Sequence, residues 1–171
     1  MPDGASGPPG LRVLGVDPGL VGTGYGRLEP GPAGAVVVTS GVIATEADLP
    51  LETRVHRIYD GVDRLLAEHA PSVMVLEDLY AEYKFPRTAI LMAHARGVIL
   101  LAARQRGVSV LALAPAEVKR AVTAYGAASK EQVQLAVRRL LRLQTPPRPS
   151  HVADALALDI TGFSRLGGKL P

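Results

Sequence analysis

The sequence contains no cysteine, which excludes disulfide bonds and thiolate metal ligands and favours a reducing, cytoplasmic location. It also lacks a long uninterrupted apolar run, because Arg104 and Arg106 break its most apolar stretch, "GVILLAARQRGVSVLALA". No membrane span is therefore predicted.

The first ten residues have neither a basic start nor an apolar core, so they do not resemble a signal peptide. We expect residues 1–10 to form a disordered extension.

What remains is enough for one domain with a substantial core, since the chain has 171 residues of which 47% are hydrophobic. We predict a single globular domain over residues 11–166 and a flexible tail over residues 167–171. No internal repeat divides this span.

The charge is distributed unevenly along the chain. Residues 1–83 contain 5 Lys or Arg and 12 Asp or Glu, whereas residues 84–171 contain 14 and 4, so the halves carry about −7 and +10. Such asymmetry favours a polyanionic partner. The alternative is that the basic residues form solvated helix faces, and composition alone leaves both interpretations open.

Hydrophobic periodicity predicts an α/β fold. Three strands come first, in "RVLGV", "GTGYGRLE" and "GAVVVTSGVIA", and two more follow in "SVMVLE" and "VSVLALA". Helices are predicted over residues 51–70, 87–106 and 130–143, near "AEVKRAV", and from His151 onward. A meander joined to βαβ crossovers predicts a five-stranded mixed sheet with helices on both faces.

Four residues could carry chemistry. Asp17 ends the first strand, Glu77 ends the fourth, and His151 and Asp154 share one face of the last helix. If these strands are parallel neighbours, their carboxyl ends lie together at the edge where ligands bind in open α/β sheets. Carboxylates so close to one another need a cation between them, and hard oxygen ligands favour Mg²⁺ or Mn²⁺. The pattern therefore predicts metal-dependent phosphoryl chemistry.

Each of these residues also has a purely structural interpretation. Asp17 could cap a tight turn. His151 and Asp154 could be helix-start residues stabilised by the helix dipole, with Ser150 as the N-cap. The glycines of "GLVGTGYG" lead into a strand rather than a helix, so we interpret them as turn and close-packing residues and not as a dinucleotide loop.

Four motifs resemble those of the RuvC family of Holliday junction resolvases: "GVDPGLVGTGYG", "LEDLY" with "ARGVIL", "PAEVKRAVTAYGAASKEQV" and "PSHVADALALDI". The resemblance extends from Val13 to about Phe163. It implies an RNase H-like fold and an endonuclease that makes paired, symmetric nicks in four-way DNA junctions, leaving 5′-phosphate and 3′-hydroxyl ends.

The resemblance also implies roles for individual residues. Asp17, Glu77, His151 and Asp154 match the family's catalytic metal ligands, which implies two Mg²⁺ ions that Mn²⁺ could replace. The resemblance implies that Tyr80, Lys119 and Lys130 bind DNA. The position of Lys84 and Arg87, in the segment that follows the fourth strand, predicts that they contact the phosphate backbone as well. The segment after Glu77 is about one residue longer than the family pattern. The aromatic that enters the junction is therefore Tyr80, Tyr83 or Phe85.

Four further basic residues follow the catalytic strands where the phosphate backbone would run, namely Arg120, Arg138, Arg139 and Arg142. For Arg138 and Arg139 a solvated helix face is the favoured alternative.

The family is dimeric, and its implied partners are a second copy of the chain and a RuvAB-type branch-migration complex. The helix "RTAILMAHARGVILLAARQR" carries small residues at Ala89, Ala93 and Gly97 and is the predicted dimer contact. Core packing is the alternative for this stripe. Rival functions are a sugar-kinase-like or actin-like ATP-binding protein, which would need a second copy of the unit, and a junction-binding module without catalysis.

Overall fold

The computed structural model describes residues 7–79 and 86–171, which form five strands and five helices. The strands are β1 (Val13–Asp17), β2 (Gly22–Gly31), β3 (Gly34–Ala44), β4 (Val73–Glu77) and β5 (Ser109–Leu113). The helices are α1 (Leu51–His69), α2 (Pro86–Gln105), α3 (Pro115–Thr123), α4 (Lys130–Leu140) and α5 (Ser150–Arg165).

The strands form one mixed sheet in the order β3-β2-β1-β4-β5. β1, β2 and β3 pair antiparallel, and β4 joins β1 and β5 in parallel. The predicted five-stranded mixed sheet is confirmed, as is the parallel pairing of the first and fourth strands. β1, β3 and β4 consequently point the same way and end at the same edge of the sheet.

Helices cover both faces because side chains alternate across the strands. Leu14 and Val16 pack with α1 and α2, whereas Val13 packs with α3, α4 and α5. Asp17 is an even number of residues from Val13 and therefore lies on the α5 face. The helix that carries His151 thus covers the face on which the first carboxylate lies.

The helix ends follow local signals. Ser129 and Gln132 form a capping box that starts α4, and Ala70, in a left-handed conformation, ends α1 before Pro71. Gly107, with φ +67°, follows α2 at the predicted stop.

Two boundaries differ from the prediction. α4 ends at Leu140 rather than near residue 143, and Arg142 then adopts a positive φ. Ser150 belongs to α5, whose N-cap position is Pro149, so the N-cap role that the purely structural alternative gave to Ser150 is not observed.

The chain ends make contacts in the described structure. The Lys169 carbonyl accepts the Ala35 amide, and Leu170 packs beside the core cluster of α5. The domain bounds given by the sequence stay predictions. Within residues 7–79 and 86–171, no helix is long and apolar enough to cross a membrane.

Candidate active site

Two carboxylates lie side by side at the common edge of β1, β3 and β4. Val16 pairs with Leu76 in the parallel register, so the next residues, Asp17 and Glu77, follow each other across neighbouring strands. Neighbouring strands are about 4.8 Å apart, which places the two side chains in electrostatic contact on the α5 face. This juxtaposition was predicted from the strand pattern.

α5 brings the other two groups to the same edge. His151 and Asp154 lie in its first turns, and His151 Nδ1 is 3.1 Å from Asp17 Oδ2. The helix can approach because glycines line the opposing strand: a methyl group at Gly24 would lie 2.0 Å from the His151 carbonyl oxygen. The close-packing role predicted for these glycines therefore accounts for the position of His151.

The electrostatics show that the acidic groups interact. Burial, and then the charges of Asp17 and Asp154, raise the pKa of Glu77 to about 8. Burial and the charge of Asp17 likewise raise the pKa of Asp154 to about 6. Lys119 and Lys130 oppose both shifts. The hydrogen bond with Asp17 raises the pKa of His151 above its usual value. Bringing these carboxylates together therefore has an electrostatic cost, which a bound cation would offset.

The acidic groups lie in a cleft of about 910 Å³, which is large enough for a strand of nucleic acid rather than a single ion. Lys119 and Lys130 line it beside the carboxylates. Apolar side chains from the loop after β1 and from α2 complete the walls; they are Leu20, Val21, Leu91 and Met92. The predicted phosphate-binding lysines and the predicted metal ligands therefore share one cleft.

The donor set fits a hard divalent cation. Three carboxylates and one imidazole are ligands that Mg²⁺ and Mn²⁺ accept. As the side chains stand, however, no three such groups of the described residues are close enough to hold one ion. Assigning them as metal ligands therefore remains a prediction.

Arg96 fastens the end of β4 that carries Glu77. From α2, its Nε donates to the Glu77 carbonyl oxygen at 3.1 Å, and its Nη2 is 3.2 Å from Asp78 Oδ1. The Asp78 amide in turn donates to the Leu113 carbonyl in β5 at 2.8 Å. The end of β4 is thus held by both α2 and β5.

The other predicted DNA-binding residues have mixed outcomes. Tyr80 and Lys84 lie outside the described residues, as do the alternatives Tyr83 and Phe85. Arg87 is exposed in the first turn of α2, next to Thr88, which lines the cleft. The arginines Arg120, Arg138, Arg139 and Arg142 are also exposed.

Arg54 and Arg96 are site residues that the sequence interpretation missed. Arg54 lines the cleft from α1. A signal for it exists, because α1 follows β3, and β3 ends at the same edge as Asp17. Arg96 lies within the motif "ARGVIL", but its contact with Glu77 depends on the packing of α2 against β4, which no spacing in the sequence encodes.

A mixed five-stranded sheet, with acidic groups at the ends of two adjacent strands and on a C-terminal helix, is the arrangement of an RNase H-like fold. The family profile for "Crossover junction endodeoxyribonuclease RuvC" matches residues 13–162. The chain belongs to the RuvC family, and it is therefore an endodeoxyribonuclease.

Individual relatives agree with this assignment. The chain is 41% identical to the crossover junction endodeoxyribonuclease RuvC of Fusobacterium nucleatum, over 94% of this chain and 84% of that protein. It is 44% identical to the Thermomicrobium roseum protein of the same name, over 90% and 93%. It is also similar to the structure of T. thermophilus RuvC in complex with Holliday junction substrate, with a TM-score of 0.83, 35% identity, and coverage of 94% and 99%.

Proposed function

We propose that this endodeoxyribonuclease resolves four-way DNA junctions by paired, symmetric nicks that leave 5′-phosphate and 3′-hydroxyl ends. The observation that carries the proposal is the cleft in which Asp17, Glu77, His151 and Asp154 lie beside Lys119 and Lys130. A junction offers two equivalent strands, and a related protein has been solved with such a substrate.

Two Mg²⁺ ions would be held by Asp17, Glu77, His151 and Asp154, and Mn²⁺ could replace them. When bound, such ions supply an activated water and stabilise the departing 3′ oxygen. The carboxylates supply the negative charge that retains a cation. Protons would compete with the metal ion for His151, because its hydrogen bond with Asp17 raises its pKa.

The chain's own cations would position the DNA strand. Lys119 and Lys130 lie close enough to the carboxylates to lower the pKa of Glu77, so a phosphate held by them would lie over the acidic groups. Lys130 is also the first residue of α4, where the helix dipole favours an anion. Arg87, Lys84 and Tyr80 would contact the DNA farther along, with Tyr80 stacking on a base.

Two-fold DNA favours a two-fold enzyme, and we propose a homodimer joined through α2. The small residues Ala93 and Gly97 are exposed, and a methyl group at Gly97 would meet nothing within 4 Å. Core packing therefore does not explain them. A RuvAB-type motor would deliver the junction, and the cytoplasm is the proposed location.

The test is nicking of a mobile synthetic four-way junction with Mg²⁺, with the nicks mapped on each strand. Wild type should cut two opposed strands symmetrically, and Asp17→Asn should lose more than about 99% of the activity while still binding the junction, because the change removes a ligand and reduces repulsion of phosphate.

The control is Glu68→Gln, which removes an exposed carboxylate at the far end of α1 and should cut normally. Junction binding without cutting by wild type would favour a non-catalytic module. ATP binding without junction binding would favour the kinase-like alternative.

A further inference from the structure

Arg54 lies in the catalytic cleft but, in the described part of the chain, pairs with no carboxylate. It belongs to the second turn of α1, and the cleft that contains Asp17 and Glu77 also includes Arg54 and Ala47. Of its side-chain nitrogens, only Nε makes a hydrogen bond among the described residues, to Thr45 Oγ1 at 3.1 Å. The two Nη nitrogens are left without a protein partner there.

Arg54 differs from the other arginines of the described range 7–79 in lining the cleft; like Arg12 and Arg64, it has no carboxylate partner. In the described range 7–79 the other arginines have a carboxylate or carbonyl partner: Arg12 with Ala70, Arg27 with Glu29, Arg57 with Glu46, and Arg64 with Asp60. Carboxylates outnumber cations in this half, so an unpaired guanidinium is not explained by a shortage of partners.

The guanidinium is held in place by a buried relay. Thr45 is only 5% exposed, and its hydroxyl donates to the Leu20 carbonyl in the loop that follows Asp17. The same loop is fixed again by the Thr45 amide, which donates to the Val21 carbonyl at 3.0 Å. Arg54 is thereby linked to the loop that follows Asp17, a predicted catalytic residue. Because its side chain is already held, it loses less conformational entropy when it binds a ligand.

Lys119 and Lys130 lower the pKa of both Glu77 and Asp154. Arg54 lines the same cleft together with Leu20 and Ala47. Its free Nη groups are available to a ligand.

We infer that Arg54 binds a backbone phosphate of the DNA strand that lies across the acidic groups. This inference rests on the proposed function. A guanidinium with two free Nη groups can contact two phosphate oxygens at once, and the Thr45 bond leaves that edge available. The strand is then held by cations on two sides of the cleft, by Lys119 and Lys130 on one and by Arg54 on the other.

The experiment measures the affinity of a synthetic four-way junction by fluorescence anisotropy in EDTA, between 50 and 300 mM KCl. Arg54→Gln should reduce the slope of log Kd against log salt by about one unit and weaken binding about fivefold at 0.15 M salt, because one phosphate contact is lost. Arg54→Lys keeps the charge and should keep the slope.

The matched control is Arg57→Gln, three residues farther along α1, where the guanidinium pairs with Glu46. It should bind with the wild-type slope. If Arg54 only supports Thr45, Arg54→Gln will lower the melting temperature and leave the slope unchanged, which overturns the phosphate contact. If wild type itself does not prefer the junction over a duplex of equal length, the proposed function falls, whatever Arg54 does.

Discussion

Asp159 is a titratable residue that the proposed chemistry does not use. It lies in α5 with no exposed surface, and its carboxyl group is packed against two glycines of the sheet: a methyl group at Gly26 would lie 2.6 Å from Asp159 Oδ2. Neither oxygen has a hydrogen-bond partner of good geometry. Burial raises the pKa of this carboxyl well above its usual value, and the Gly15 amide offsets only part of that effect.

The titration of Asp159 should make the protein less stable as pH rises. Below about pH 4 the carboxyl group of Asp159 is protonated in both the native and the unfolded state. Above that pH it ionises in the unfolded chain but stays protonated in the native protein, so stability falls until pH exceeds the native pKa. Asp159→Asn cannot ionise. Its stability relative to wild type should therefore increase between pH 5 and pH 8, by on the order of 1–3 kcal/mol, as measured by urea unfolding at each pH.

The other titratable groups at this face of the sheet include Asp17 and Glu77 at the strand ends and His151 and Asp154 on α5, and all four remain in the variant. The control is Asp63→Asn, because the hydrogen bond from Arg106 lowers the pKa of Asp63. The stability of that variant relative to wild type should fall as pH rises from 3 to 6. A pH-independent difference between wild type and Asp159→Asn would show that Asp159 does not titrate in this range.

The sequence predicted some site residues and not others, for physical reasons. Asp17 and Glu77 could be found because each ends a buried strand, and the edge to which parallel strands point is set by topology. Arg54 could not be separated from the other arginines of α1, because the strand order brings α1 to this edge but does not show which of its side chains line the cleft. Asp159 follows "ALAL" in the helix, and only the approach of α5 to glycines reveals that it is buried.

At the scale of the element, α5 and the strand beneath it determine whether the site forms. A methyl group at Gly24 would lie 2.0 Å from the His151 carbonyl, and backbone cannot move there unless the whole helix moves. At Gly22 a methyl group would instead meet side-chain atoms, Val42 Cγ1 at 3.1 Å and His151 Cδ2 at 3.2 Å. Both positions face α5, but a methyl group at Gly24 would require the helix backbone to move, whereas one at Gly22 would require only side chains to move.

Gly24→Ala should therefore destabilise the protein by about 1–3 kcal/mol and weaken Mn²⁺ binding, because α5 must move away from Asp17. Gly22→Ala should cost less than about 1 kcal/mol, since side chains can shift by a few tenths of an ångström. Urea unfolding and Mn²⁺ titration by electron paramagnetic resonance measure the two effects. Equal metal affinity in both variants and wild type would mean that the close approach of α5 does not control the site.

The element boundaries were more predictable than this packing. Periodicity placed α1 and α2 within about one residue of their observed ends, because Pro71 and Gly107 stop them locally. The end of α4 was placed too late, since the leucines near it continue the helical spacing although the chain turns at Arg142. Local stop signals are readable from sequence, whereas tertiary ones are not.

At the scale of the whole molecule, α2 has two apolar sides. One side packs into the core through Ala95, Ile99, Ala102 and Ala103. The other side includes Ile90, which is 60% exposed, and Leu101, which is 50% exposed, in line with the exposed Gly97. A helix that is apolar on its solvent side is characteristic of an interface. Through Arg96, the same helix holds the end of β4, so an interface on α2 would connect assembly to the position of Glu77.

Ile90→Glu and Leu101→Glu should each convert the proposed dimer to monomer at micromolar concentration, because each would place an unpaired charge in an apolar interface. Sedimentation equilibrium measures the change. Leu135→Glu is the matched control, since Leu135 is 55% exposed on α4 and its substitution should leave the dimer intact.

On a plasmid with an extruded cruciform, wild type and control should give linear product from paired nicks. The two α2 variants should give mainly nicked circles, and a monomer that still produces linear DNA at the wild-type rate would show that pairing of the nicks does not depend on α2.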